Sequence, residues 1–227
     1  MADSKLFNDP EKLKRGLIKV LECVATISSA AAVVNPIFGV AGSLIRVVLH
    51  QVDDEDLQKL KHEFKNVNQA LDAISNQNHQ ALQEIRKETA DKQYGQIEEN
   101  LRNQFCKFME IVEANPEHVQ RKKEDFIESY MNDNEDQNMH TLYDSVMGKR
   151  KLFSRPILEV YMKHSQNDKS VMENLCTRLA YLFCIGFIAM MGYYALIKDD
   201  VESRNKEWEE KMKDVQEKMQ EVLKSCK

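Results

Sequence analysis

One stretch limits what this chain can fold into. Leu179 to Ile197, LAYLFCIGFIAMMGYYALI, contains no charged side chain. As a helix it would extend about 28 Å at ~1.5 Å per residue, close to the ~30 Å hydrocarbon core of a bilayer. Around it the sequence is rich in Lys, Arg, Asp and Glu, which make up 30% of the chain. The segment therefore has to be the spine of a water-soluble bundle, enter a membrane, or do each in turn.

The composition points to helices. Hydrophobic residues account for 42% of the chain, with only seven Gly and four Pro, so turn and strand signals are sparse. The net charge of −5 and the lack of a basic run interleaved with aromatics argue against nucleic-acid binding. Five Cys, an odd number and none in a CxxC pair, are expected to be reduced intracellular thiols, mostly buried as small hydrophobes. The charged start, MADSKLFNDPEKLKRG, does not read as a secretory signal or a myristoylation site, and Cys226 lies too near the end for prenylation. Membrane contact, if made, is expected to come from the chain's own apolar segments.

Asn8-Asp9-Pro10 opens a first helix with Leu13, Leu17, Leu21 and Val24 on one face. Residues 23–45, CVATISSAAAVVNPIFGVAGSLI, form a second uncharged stretch. Pro36 removes a backbone donor and disfavours helix at Asn35, so a kink or hairpin is expected there. The membrane-inserting candidates are Val33, Val34, Pro36, Ile37 and Phe38 at this bend. In the later stretch they are Leu182, Phe183, Ile185, Phe187, Ile188, Met190 and Met191.

Leu57, Leu60, Phe64, Val67, Leu71 and Ile74 alternate three and four apart. Leu82 and Ile85, then Ile97, Leu101, Phe105, Phe108 and Val112, continue the seam. This predicts a long amphipathic region over 57–112, with kinks or loops at Ser75–Gln80 and near Gly95. Asn115-Pro116 ends it, and a further helix runs through Phe126 and Tyr130. NDNEDQN, 132–138, is the strongest loop signal. Two shorter helices split near Gly148, with a restart at Ser154-Arg155-Pro156. Asn167-Asp168 caps the helix that carries the apolar stretch, Arg178 just precedes the stretch, and Lys198 to Asp200 end it. The last helix, about 200–224, carries Trp208, Met212, Val215 and Met219 on one stripe. It also offers Glu207–Lys211, Glu209–Lys213 and Asp214–Lys218 as i,i+4 pairs. That stripe and the one from Leu57 to Leu71 are candidate partner-binding faces, within the chain or toward a second copy or a helical protein.

No constellation spells out a reaction. His62-Glu63-Phe64-Lys65-Asn66 begins like a zincin motif, but Asn66 stands where the second His is required. The acidic run Asp53 to Asp56 lacks the Gly and the terminal Glu of an EF-hand loop. Gly148-Lys149-Arg150-Lys151 lacks the earlier Gly and the following Ser/Thr of a phosphate loop. No nucleophile elbow is present. The chain is expected not to be an enzyme, and no cofactor, metal or small-molecule substrate is expected.

Five strings resemble the rapunzel family of bony-fish proteins: AAAVVNPIFGVAGSLIRVVL, DDEDLQKLKHEF, YGQIEENLRNQF, FSRPILEVYMKHS and LCTRLAYLFCIGFIAMMGYYALI. They span nearly the whole chain. The resemblance implies a mostly helical, non-enzymatic vertebrate protein linked to skeletal and fin development. It also implies a remote similarity to cephalotoxin-like helical regions.

The resulting expectation is an all-α single domain, an elongated bundle of long amphipathic helices around one or two apolar central helices. The leading functional reading is an intracellular, membrane-associating bundle resembling helical pore-forming toxins in architecture, with lipid as partner. The alternative is a cytoplasmic scaffold or interaction module that keeps both apolar segments inside.

Overall fold

The computed structural model describes residues 54–88, 92–149, 156–197 and 201–227. The expected first helix and the bend at Asn35-Pro36, with candidates Val33 to Phe38, lie outside the described residues. Among the described residues there are eight helices and no strand. They are α1 (Asp54–Gln77), α2 (His79–Glu88), α3 (Lys92–Glu113), α4 (Val119–Asn132), α5 (Gln137–Met147), α6 (Ile157–His164), α7 (Lys169–Ile197) and α8 (Val201–Lys224).

The breaks follow local chemistry. The polar stretch 75–80 interrupts the helix only at Asn78, whose side-chain amide and backbone N–H both donate to the Ile74 carbonyl, at 2.9 and 3.1 Å. Gly95 sits inside α3 rather than at a break. α3 stops ahead of Asn115-Pro116, where proline offers no N–H to continue it. α5 ends on Gly148 at φ 68°, the left-handed cap that glycine adopts without Cβ strain. Asp168 caps α7 by accepting the Val171 N–H at 2.9 Å.

The loop expected over 132–138 is shorter than its composition suggests. Helix covers Asn132 and resumes at Gln137, leaving a four-residue turn. Its backbone carbonyls are bonded from within the bundle. The amides of Asn138, Asn100 and Gln104 all donate to the carbonyls of Asp133 or Glu135. Asn100 and Gln104 tie the turn's backbone to α3, so its carbonyls are satisfied although Asn132, Asn134 and Glu135 remain exposed.

α7 is the centre. It contacts α1, α3, α4, α5, α6 and α8, and every residue from Leu175 to Ala195 is buried. The stripes of the surrounding helices supply the sheath. Leu60, Phe64, Val67 and Leu71 of α1 and Trp208, Met212, Val215 and Met219 of α8 are at most 1% exposed, with Leu57 packed at the margin. An aromatic layer of Phe64, Phe105, Phe108 and Phe126 fills one side, with ring centroids 5.1 to 6.2 Å apart. Two glycines let α7 approach its neighbours closely. A Cβ on Gly192 would overlap the Phe108 ring, and one on Gly186 would meet Leu101 Cδ2 at 2.8 Å and overlap Met139.

On α8 the pairs Glu207–Lys211 and Glu209–Lys213 form, at 2.6 and 3.1 Å. The expected Asp214–Lys218 pair is replaced: Tyr143 donates to Asp214 at 2.7 Å, and Lys218 binds Glu221 at 2.9 Å. A tertiary partner outcompetes a pair whose worth on an exposed helix is only ~0.3–0.5 kcal/mol.

The cysteines divide by environment. Cys176 and Cys184 are buried, while Cys106 is exposed and Cys226 half-buried, so the expectation of mostly buried thiols holds for two of the four described. Burial pushes the Cys176 and Cys184 thiols up to about 12. A thiol reagent at neutral pH is therefore expected to modify Cys106 in the folded protein and to reach Cys176 and Cys184 only after denaturation. Peptide mapping of labelled protein checks this, and native labelling of Cys184 would contradict the sheath.

Candidate functional site: the sheathed helix and its polar anchors

The seven candidates on α7, Leu182, Phe183, Ile185, Phe187, Ile188, Met190 and Met191, are all inside the bundle, the most open being Met191 at 5% exposure. The structure brings them together with both partner stripes in one core. Neither stripe is left as an apolar face for an outside partner.

Two polar clusters hold the ends of the apolar segment, and sequence reasoning assigned neither. The first surrounds Arg178, which is 0% exposed. Its guanidinium is ion-paired with Glu98 of α3, and its Nε donates to Ser75 Oγ of α1 at 3.0 Å. Arg102 and, from α2, Arg86 approach the same carboxylate at 3.2 and 3.5 Å. Arg102 also reaches Asp72 at 2.9 Å. Beside this the hydroxyls of Tyr94 and of Tyr161 from α6 lie 2.8 Å apart. Five helices thus meet at one buried charge.

The charge of Arg178 acts on Glu98 more strongly than the hydrogen bond between them. Burial raises the Glu98 carboxyl, but Arg178 first and then Arg102 and Arg86 outweigh it and hold Glu98 below its ordinary value. The only sequence signal was a basic residue directly before an apolar run. In a bundle that position is interior, because the sheath continues past the end of the apolar run.

The second cluster closes the other end. Asp136 accepts the Tyr130 hydroxyl at 2.7 Å on one oxygen and the Tyr194 hydroxyl on the other. Tyr130 stacks on Tyr193 with centroids 4.3 Å apart, and the Arg204 guanidinium of α8 lies 4.9 Å above the Tyr194 ring. Burial and then Asp136 push the Tyr130 phenol well above its ordinary value. The C-terminal tail adds a third tie, with Lys227 N–H donating to Asn167 O at 3.0 Å and Lys169 N–H to Lys227 O at 3.2 Å.

These clusters fix helices to one another; they do not converge on an open space. Among the described residues no group of three or more His, Cys, Asp or Glu side chains could hold a metal. A groove of about 790 Å³ lies where α2 faces the α6–α7 corner. Its acidic groups are engaged: Asp168 caps α7, and Glu84 binds Lys87 at 2.7 Å.

The family described as the cephalotoxin-like middle helical domain matches residues 50–227. The chain is 79% identical to the protein rapunzel of Danio rerio, with the match covering the full length of both. No solved structure matches it.

Proposed function

The chain belongs to the rapunzel family, and from that premise we propose that it is a non-enzymatic helical scaffold with α7 as its permanent spine. One observation carries this reading: the unbroken burial of Leu175 to Ala195 inside a sheath of six helices. A helix apolar all round belongs at the centre of such a bundle. α7 is also fitted to its protein neighbours. Its glycines receive Phe108 and Met139, and Arg178 finds its counter-charge on α3. Because both apolar stripes are used internally, partners would read the charged outer faces of the bundle. A part in skeletal and fin development, as the family resemblance implies, would then work through protein contacts and not through catalysis.

Membrane association is the second reading, and the length and composition of α7 favour it. Among the described residues it is the one helix long and apolar enough to cross a membrane. Insertion would need the sheath to open and the Arg178–Glu98 pair to separate. The architectural likeness to helical pore-forming toxins, and the cephalotoxin name of the matched domain, belong to this reading. A fixed transmembrane span fits least, since it would strip the amphipathic helices of the surface they cover.

Flotation of the purified full-length protein with liposomes of neutral and anionic phospholipids separates the two. At pH 7.5 the scaffold is expected to stay in the dense soluble fraction. Recovery with the liposomes, resistant to alkaline washing, would displace the scaffold reading in favour of insertion.

A further inference from the structure

His140 lies on α5 against the middle of α8, and its half-buried ring meets that helix in one polar contact. Its Nδ1 is 2.8 Å from Lys211 Nζ. An ammonium has only donors, so at this distance the imidazole nitrogen is the acceptor and His140 is neutral, with its proton on Nε2. Lys211 is held there on three further sides. It donates to Glu207 at 2.6 Å and lies 4.8 Å from the Trp208 ring and 5.4 Å from the Tyr143 ring. The His140 and Trp208 rings are themselves 5.2 Å apart.

We propose that His140 and Lys211 form an acid-sensitive latch that fastens α8 onto the bundle. A proton on Nδ1 would remove the acceptor and place two positive charges in hydrogen-bond contact beside a buried indole. The ring would have to turn from Lys211, or Lys211 would have to leave Trp208 and Glu207. Either change loosens α8 where it crosses α5.

The surrounding charges set the sign. Burial and then Lys211 lower the His140 pKa, while Glu207 of α8, Asp136 just ahead of α5 and Asp144 within α5 oppose them. Tyr194 of α7 is bonded to Asp136. The α3 side chains at this end, Asn100 on Asn138 and Gln104 on the turn before α5, are neutral amides. Tyr143 donates to Asp214 and accepts from Lys149 at 3.0 Å. Burial raises the Glu207 carboxyl, but its contacts with Lys211 prevail, and it stays below the ordinary carboxylate value. A His with a lowered folded pKa is protonated more readily in the unfolded chain. The latch thus contributes fully above pH ~6.5 and is lost as pH falls from ~6.5 toward the folded pKa.

The consequence reaches α7. α8 lies along it, with Arg204 over Tyr194 at one end and the Lys227 backbone bonds at the other. Loosening the middle of α8 opens one side of the sheath while both ends stay tied.

The test uses the full-length protein at pH 7.5 and pH 5.0, with amide hydrogen exchange of 205–219 corrected for the intrinsic effect of pH. Wild type is expected to exchange faster at pH 5.0, by about fivefold, as the loss of one intramolecular hydrogen bond would give. His140→Gln keeps an acceptor for Lys211 and is expected to abolish that increase. Lys211→Met removes the repelled charge and is expected to diminish it. Trp208 is the chain's single tryptophan, and an imidazolium in ring contact quenches indole emission. Wild-type fluorescence should therefore fall with a midpoint below pH ~6.5, a readout that needs no variant. Unchanged α8 exchange at pH 5.0, a flat fluorescence titration, or an acid response that survives in His140→Gln would each overturn the latch. None of these readouts involves lipid or a partner, so they stand or fall separately from the scaffold reading.

Discussion

Replacing Glu98 by Leu is expected to lower the unfolding free energy by about 3–5 kcal/mol, because it strands a fully buried cation. Arg178 is 0% exposed and also donates to Ser75 at 3.0 Å. Arg102 and Arg86 would add repulsion once the carboxylate is gone. The double variant Glu98→Leu with Arg178→Met is expected to recover most of the loss, since a buried pair exchanged whole for apolar side chains of similar volume is often neutral or stabilising. Urea unfolding of the three proteins checks this. A single-variant loss below ~1 kcal/mol, the size of an exposed pair, would mean that the cluster is solvated. The pH dependence has a definite sign. Glu98 titrates below its ordinary value when folded, so its contribution is present above pH ~4.5 and is lost as pH falls through the folded pKa. The double variant should lack that part of the acid sensitivity.

The second large effect is expected where Phe108 enters the notch at Gly192. Phe108→Ala is expected to cost about 3–5 kcal/mol, because the ring is 0% exposed and touches Phe64, Phe126 and α7 together. Gly192→Leu is expected to cost about 1–3 kcal/mol, even though glycine is by itself a poor helix former, because the new side chain occupies the ring's place. The combined variant puts a Leu into the space the ring vacates. It should be more stable than the sum of the two losses predicts by well over ~0.5 kcal/mol, the usual limit of additivity for separate sites. Simple additivity would mean that the two positions do not touch.

Much of the chain was legible because the signals were local. The three-and-four spacing from Leu57 to Leu71, the glycine at 148, the proline at 116 and the cap at Asp168 each act within one or two turns, and each does in the structure what its chemistry requires. Misreadings arose where a residue's neighbour lies far away in sequence. NDNEDQN reads as a seven-residue loop, yet only 133–136 lie outside helix, where Asn100 and Gln104 of α3 bond the turn's carbonyls. Asp214 reads as the partner of Lys218 until Tyr143 takes it. Arg178 reads as a flanking charge until Glu98 meets it.

The sequence by itself determined that this protein is helical, where most of its described helices begin and end, and which faces must be hidden. Those outcomes depend on backbone propensity and on hydrophobic period, both of which are properties of neighbouring residues. Which surface hides them was decided only by the tertiary structure. An apolar helix lowers its free energy equally well in lipid or among side chains, so the period of its residues cannot choose. Among the described residues, the cover on α7 is set by fit. Phe108 occupies the space at Gly192, Glu98 neutralises Arg178, and Asp136 gathers Tyr130 and Tyr194, all across gaps of chain that no local pattern spans.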